Sequence, residues 1–171
     1  MTTLHLGVDL GGDAHATAWA LLDGADRVVE YHALRLGAAT TAARYQLISE
    51  RCRNIQARHG AIVDAAVEGV FWHPKRPSAA APLLRVQTLW CLAIERTWGI
   101  VPATPEPSHW RSVVGIHCRD RDQAKAAAVQ MVKLIYGQVL TDDEAEAILI
   151  GRATALEYEQ GRLAAMMGAR A

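Results

Sequence analysis

The sequence predicts an α/β fold, a mixed five-stranded sheet flanked by helices, in a single domain over residues 1–171. Closely spaced apolar runs of strand period open the chain, and helical and strand patterns alternate after them. A chain of 171 residues that is 51% hydrophobic has the length and the apolar content for one substantial core.

Residues 3–10 alternate into a strand, and 15–22 and 27–36 read as two more, joined by the turn Asp23-Gly24-Ala25-Asp26. Connections this short make antiparallel neighbours, a meander. Over 39–59, Leu47, Ile48, Cys52 and Ile55 recur at helical spacing, and Gly60 ends the helix. Residues 61–68 form a fourth strand, set parallel to the first by its helical crossover. The segment 71–78 holds Pro74, Pro77, Lys75 and Arg76 and reads as a loop. A long helix over about 80–97 and a short fifth strand over 100–103 follow, and then Pro105 and Pro107 break the chain. Ser108 is placed to cap a short helix through Val114, and 120–135 form an amphipathic helix. Thr141-Asp142-Asp143-Glu144 is a capping box that starts the last helix. Residues 168–171 are expected to fray. This element order is that of the ribonuclease H-like fold.

Composition narrows the function classes. There is no apolar run of membrane length, and the N-terminus enters a strand pattern without a signal-peptide layout. Cys52, Cys91 and Cys118 lack metal-site spacing and read as reduced thiols, so a cytoplasmic location is expected. Net charge is zero, yet residues 72–133 carry nine Lys/Arg against four acids, an excess of five. A basic middle beside a late acidic cluster suits a polyanion held over bound metal.

The acids carry the chemistry. Asp9 closes an apolar strand before Gly11 and Gly12, which allow close approach of a ligand. Its structural reading is a turn aspartate capping the hairpin. Glu68 interrupts the end of a buried strand in VDAAVEGVF, where a purely structural role needs a partner that the sequence does not supply. On the last helix Glu144 belongs to the capping box and Asp142 is expected to point to solvent. Asp143, Glu146, Ala147, Ile150 and Thr154 follow i, i+3, i+4 spacing, the stripe that faces the sheet. An alternative register pairs Asp142 with Glu146. Convergence of Asp9, Glu68, Asp143 and Glu146 calls for a counter-charge. Mg²⁺ or Mn²⁺ is the natural one, because hard cations take oxygen ligands and activate water against phosphodiesters.

GVDLGG, VEGVF, SVVGIHCRDRDQAKAAAVQMV and DEAEAILIG, in this order over roughly residues 4–156, resemble the RuvC family of Holliday-junction resolvases. The resemblance implies a homodimer that resolves four-way DNA junctions by paired symmetric nicks, with two Mg²⁺ or Mn²⁺ ions per active site. It assigns Asp9, Glu68, Asp143 and Glu146 as catalytic metal ligands. Leu10 stands where the family has proline, Glu146 replaces an aspartate, and Trp110, beside Arg111, falls near a family lysine. These departures resemble a phage-type or divergent member.

Arg111, Arg119, Arg121 and Lys125 are the bases expected along the bound strand, with Lys75 and Arg76 in the loop. Arg121 lies where the family carries a basic residue. Phe71, the only phenylalanine of the chain, is expected to stack on an unpaired base at the junction centre. The helix near 80–97 has one apolar stripe of Leu83, Val86, Trp90 and Ile94 and a second of Leu84, Cys91 and Trp98, which is available for the dimer. An actin-like kinase shares the Asp-Leu-Gly-Gly turn, but needs two such domains and a second Gly-rich loop. A catalytically inactive DNA-structure-binding protein of the same fold is the non-enzymatic alternative.

Overall fold

The computed structural model describes residues 3–11, 16–37, 40–70, 77–118, 120–138 and 140–168. Strands β1 (Leu4–Asp9), β2 (Ala16–Asp23) and β3 (Val28–Arg35) form the antiparallel meander. Helix α1 (Thr41–His59) crosses over to β4 (Asp64–Val67), which pairs in parallel with β1 and gives the sheet order β3-β2-β1-β4. Helices α2 (Pro77–Trp98), α3 (Pro107–Val114), α4 (Arg121–Tyr136) and α5 (Asp142–Gly168) follow. Thr40 caps α1 through the Ala43 amide, and Gly60 closes it at φ 84°, a conformation that favours glycine.

The sheet has four strands where five were expected. In the segment 100–103 only Ala103 pairs, as a single parallel bridge to Ala66. The Gly69 amide still donates to the Pro105 carbonyl at 2.7 Å, but Pro105 itself has no N–H to give back toward β4, so the bonds around Ala103 do not continue as a ladder. The cap of α3 also differs. Glu106 is its N-cap, without a side-chain bond, and Pro107 takes the first helical position, where its missing N–H costs nothing. Ser108 therefore lies inside the helix. The capping box is formed: Glu144 N–H donates to Thr141 Oγ1 at 3.3 Å, and Thr141 N–H donates back to Glu144 Oε2 at 3.2 Å.

Alternation along the strands builds two unlike faces. Leu4, Leu6, Val8 and Leu10, with Trp19 and Leu21, point toward α1 and α2, meeting Ile48, Cys52, Ile55, Val86, Trp90 and Ile94. The opposite face is made of small residues, Gly7, Ala18, Ala20 and Ala66, and α5 lies across them with Ala147, Ile148 and Ile150. A Cβ built on Gly7 would fall 2.2 Å from the Gly151 nitrogen. Strand and helix backbones thus touch, which fixes the height of α5 over β1. Cys91 and Trp98 pack against the core shared with α1, and the Trp98 indole donates to the Gly60 carbonyl at 3.1 Å. The stripe expected to serve a partner is therefore largely used within the chain. No described helix is long and apolar enough to cross a membrane.

Candidate metal centre

Asp9 ends β1 on the α5 face, 2% exposed. Its Oδ2 accepts the Gly11 amide at 3.0 Å, and Thr17 Oγ1 donates to its carbonyl at 2.6 Å, so both backbone and carboxyl are held. Gly11 adopts φ 65°, and a Cβ there would lie 3.3 Å from Asp143 Oδ2. The glycine lets the turn pass beside the acids.

The first turn of α5 delivers the rest. Asp143 and Glu146, three residues apart, face inward, with Glu146 3% exposed. One carboxylate oxygen from each of Asp9, Asp143 and Glu146 lies within 4.8 Å of the others. Glu68 follows β4, fixed by its amide to the Val8 carbonyl at 2.8 Å and by Gln87 Nε2 to its own carbonyl at 2.8 Å. Its side chain hydrogen-bonds the Asp9 carboxyl and accepts the Trp110 indole N–H at 3.3 Å. Glu68 thus touches the triad through Asp9 without belonging to the closest three.

Burial, then the neighbouring charges of Glu68 and Glu146, pushes the Asp9 carboxyl well above the usual carboxylate range. Burial and Glu146 raise Glu68 in the same sense, while its hydrogen bond with Asp9 opposes the rise. Burial and the mutual repulsion of the acids therefore oppose full ionisation of the Asp9–Glu68 pair when no cation is present. Two side chains supply positive charge. Arg111 Nη2 donates to Glu146 Oε1 at 2.5 Å while its guanidinium lies 5.0 Å from the Trp110 ring centroid. Lys125 Nζ lies 2.5 Å from Asp142 Oδ2, 3.3 Å from Asp143 Oδ1 and 3.8 Å from Glu146 Oε2. Even without Asp142, four carboxylates face two cations. Oxygen donors of this density, buried and under-neutralised, fit a hard divalent ion.

The other sequence candidates divide. Arg111 and Lys125, expected along a DNA strand, stand here as counter-ions of the acids. Arg121 is exposed at the start of α4, one turn from Lys125. Phe71, Lys75, Arg76 and Arg119 lie outside the described residues. Asp142 is 45% exposed, as expected, yet is paired with Lys125. The basic excess of the middle third is split by the sheet: Arg85 and Arg96 are on α2, while Arg111, Arg121 and Lys125 are on the α5 side. Sequence reasoning missed Trp110 as the donor to Glu68 and Gly151 as the partner of Gly7. A glycine inside a buried helical stripe is the signal that pointed to the latter.

No protein-family model and no curated protein matches this chain. Among solved structures it is similar to RuvC of Thermus thermophilus in complex with Holliday junction substrate, at a TM-score of 0.74 and 15% identity, over 93% of this chain and 96% of that one. The likeness to a Thermus thermophilus RuvC structure without that description of a complex is close to this, with a TM-score of 0.71 and 14% identity over 93% and 97% of the two chains. At this identity the likeness concerns architecture: the protein has a RuvC-like, ribonuclease H-like fold over nearly all of its length.

Proposed function

We propose that the protein is a divalent-metal-dependent endonuclease that resolves four-way DNA junctions by paired symmetric nicks. The observation that carries this reading is the meeting of Asp9, Asp143 and Glu146 within 4.8 Å, with Glu68 against Asp9, on a RuvC-like fold. Asp9, Asp143, Glu146 and Glu68 would hold two Mg²⁺ or Mn²⁺ ions. Bound ions of this kind generate hydroxide and stabilise the leaving 3′-oxygen of a phosphodiester.

The chain's own groups do the rest. Gly11 N–H and Thr17 Oγ1 hold Asp9 in place. Trp110 aims Glu68 through its indole N–H. Arg111 and Lys125 offset the acids in the free protein through ion pairs with Glu146, Asp142 and Asp143, and are proposed to meet scissile-strand phosphates beside them. Phe71, Lys75, Arg76, Arg119 and Arg121 are proposed as DNA contacts around this centre. A homodimer is proposed through the outer face of α2, where Leu92 is 36% exposed. The three unpaired thiols are in keeping with a cytoplasmic setting.

A synthetic four-way junction incubated with the purified protein tests the reading. With Mg²⁺ or Mn²⁺ the wild type should give symmetric nicked duplexes with ligatable ends, and Asp9→Asn or Glu68→Gln should cut more than about 10³-fold more slowly while still binding. Wild-type cleavage in the presence of excess chelator would overturn it. The ion pairs of Arg111 and Lys125 favour one other reading, a junction-binding protein whose acids are neutralised internally. Tight junction binding with no nicking under either metal would establish that reading instead.

A further inference from the structure

On the face of the sheet away from the acids, side chains of α1 and α2 line a cavity of about 430 Å³. Its lining comes from a stripe of α1, including Tyr45, Ser49, Arg53 and Gln56, and from Ala93 and Arg96 of α2. The hollow has a cause in the sequence. Ser49 and Ala93 place small side chains between the helices, while Ile48, Cys52, Trp90 and Ile94 fill the core beneath. No lining residue is acidic.

The polar groups here are unspent. Arg53 and Arg96 form no ion pair or side-chain hydrogen bond among the described residues. Ser49 is only 8% exposed, and its Oγ is buried with no hydrogen-bond partner. Three threonine hydroxyls on helices fold back onto the carbonyl four residues earlier: Thr88 to Leu84, Thr97 to Ala93 and Thr154 to Ile150, each at 2.7 or 2.8 Å. Ser49 does not, and a buried hydroxyl left without a partner is costly. Two exposed guanidiniums beside one cavity without an acid match a phosphate group, whose oxygens accept paired guanidinium N–H bonds. Gln56 is fixed by its Nε2 to the Thr97 carbonyl at 2.8 Å, which leaves its own carbonyl oxygen turned from that bond and the cationic groups as the main donors.

We propose that the α1–α2 cavity is a phosphate-binding site in which Arg53 and Arg96 clamp the anion. The phosphate is either a free phosphoester or a backbone phosphate of bound nucleic acid. Both share this chemistry, and the test separates them. Calorimetric titration at constant ionic strength uses inorganic pyrophosphate and adenosine 5′-monophosphate, and a parallel series measures four-way junction affinity against salt without added divalent metal. Each is repeated on Arg53→Gln/Arg96→Gln.

If the ligand is a free phosphoester, the small probes bind saturably, the double variant binds them at least about tenfold more weakly, and junction affinity is unchanged. If it is a backbone phosphate, junction affinity falls at least tenfold in the double variant and the log–log salt slope drops by roughly 1–2. Arg53 and Arg96 are exposed, so their replacement should leave the melting temperature unaltered and any loss reads binding. Unchanged binding of all three probes in the double variant would overturn the proposal. No readout requires cleavage, so the result stands apart from the nuclease reading.

Discussion

Asp9 shows how one residue is held between stability and use. Its carboxyl is buried beside Glu68 and Glu146, which raises its affinity for a proton above that in an unfolded chain. The folded protein therefore binds more protons than the unfolded one above the ordinary carboxylate range. Metal-free stability should fall as pH rises through the window from that range up to the raised value of Asp9, because ionisation is opposed only in the folded state. Melting curves in chelator across this window should show the decline, and Asp9→Asn should flatten it. The same variant should be more stable than the metal-free wild type at neutral pH by about 1–3 kcal/mol, or roughly 3–10 °C in Tm. A destabilised Asp9→Asn would mean that the burial of this acid is already compensated. Cys52 gives an independent check on the opposite face. Burial pushes its thiol up to about 12, so native protein should be alkylated at exposed Cys118 and spared at Cys52. Mass spectrometry of the labelled protein reads the difference directly.

At the scale of an element, α5 is the piece that assembles the site. Its first turn supplies Asp143 and Glu146, and its depth is fixed further along, where Gly151 rests on Gly7. The two glycines are not equivalent. A Cβ on Gly7 meets helix backbone at 2.2 and 2.4 Å, and backbone cannot yield without lifting α5. A Cβ on Gly151 meets Leu22 Cδ1 at 2.6 Å, the far end of a flexible side chain, and alanine is the better helix former. Gly7→Ala should cost on the order of 2–4 kcal/mol and weaken divalent-ion binding, since Asp143 and Glu146 move with the helix. Gly151→Ala should cost within about 1 kcal/mol of neutral, as helix propensity offsets the Leu22 contact. Denaturant melts of the two variants rank them, and a larger loss for Gly151→Ala would place the close contact elsewhere.

The whole molecule is a three-layer stack in which each sheet face has its own task. Large aliphatic and indole side chains toward α1 and α2 supply most of the deep core, while the small-residue face lets α5 approach and lines the acids. Divalent ions should therefore stabilise the fold as a whole. Because they bind the assembled acids and not the unfolded chain, saturating Mg²⁺ at about 100 times its Kd should add roughly 2.7 kcal/mol. Asp143→Asn/Glu146→Gln should abolish that gain in thermal melts while leaving the α1–α2 face intact. The proposed dimer belongs to the same scale: Leu92→Glu should convert it to monomer in sedimentation experiments, and a wild type that is already monomeric would remove α2 as an interface.

The sequence by itself determined the meander, the crossover to β4, the capping box and the α/β class, because these rest on local period, turn chemistry and short connections. It also singled out Asp9, Glu68, Asp143 and Glu146 as acids without a packing role, since a carboxylate ending an apolar run is anomalous whatever surrounds it. Tertiary structure decided what local pattern does not encode. The fifth strand shrinks to the Ala103 bridge because Pro105 lacks the next donor toward β4, although the apolar residues before it suit a strand. Pro107 moves the start of α3 away from Ser108. Arg111 and Lys125 become counter-ions of Glu146 and Asp143 only once α3, α4 and α5 are laid side by side, for charge pairs 35 and 18 residues apart leave no trace in local spacing. The empty hydroxyl of Ser49 is likewise invisible in the sequence, because helical periodicity reports which face a residue occupies and not whether a partner waits there.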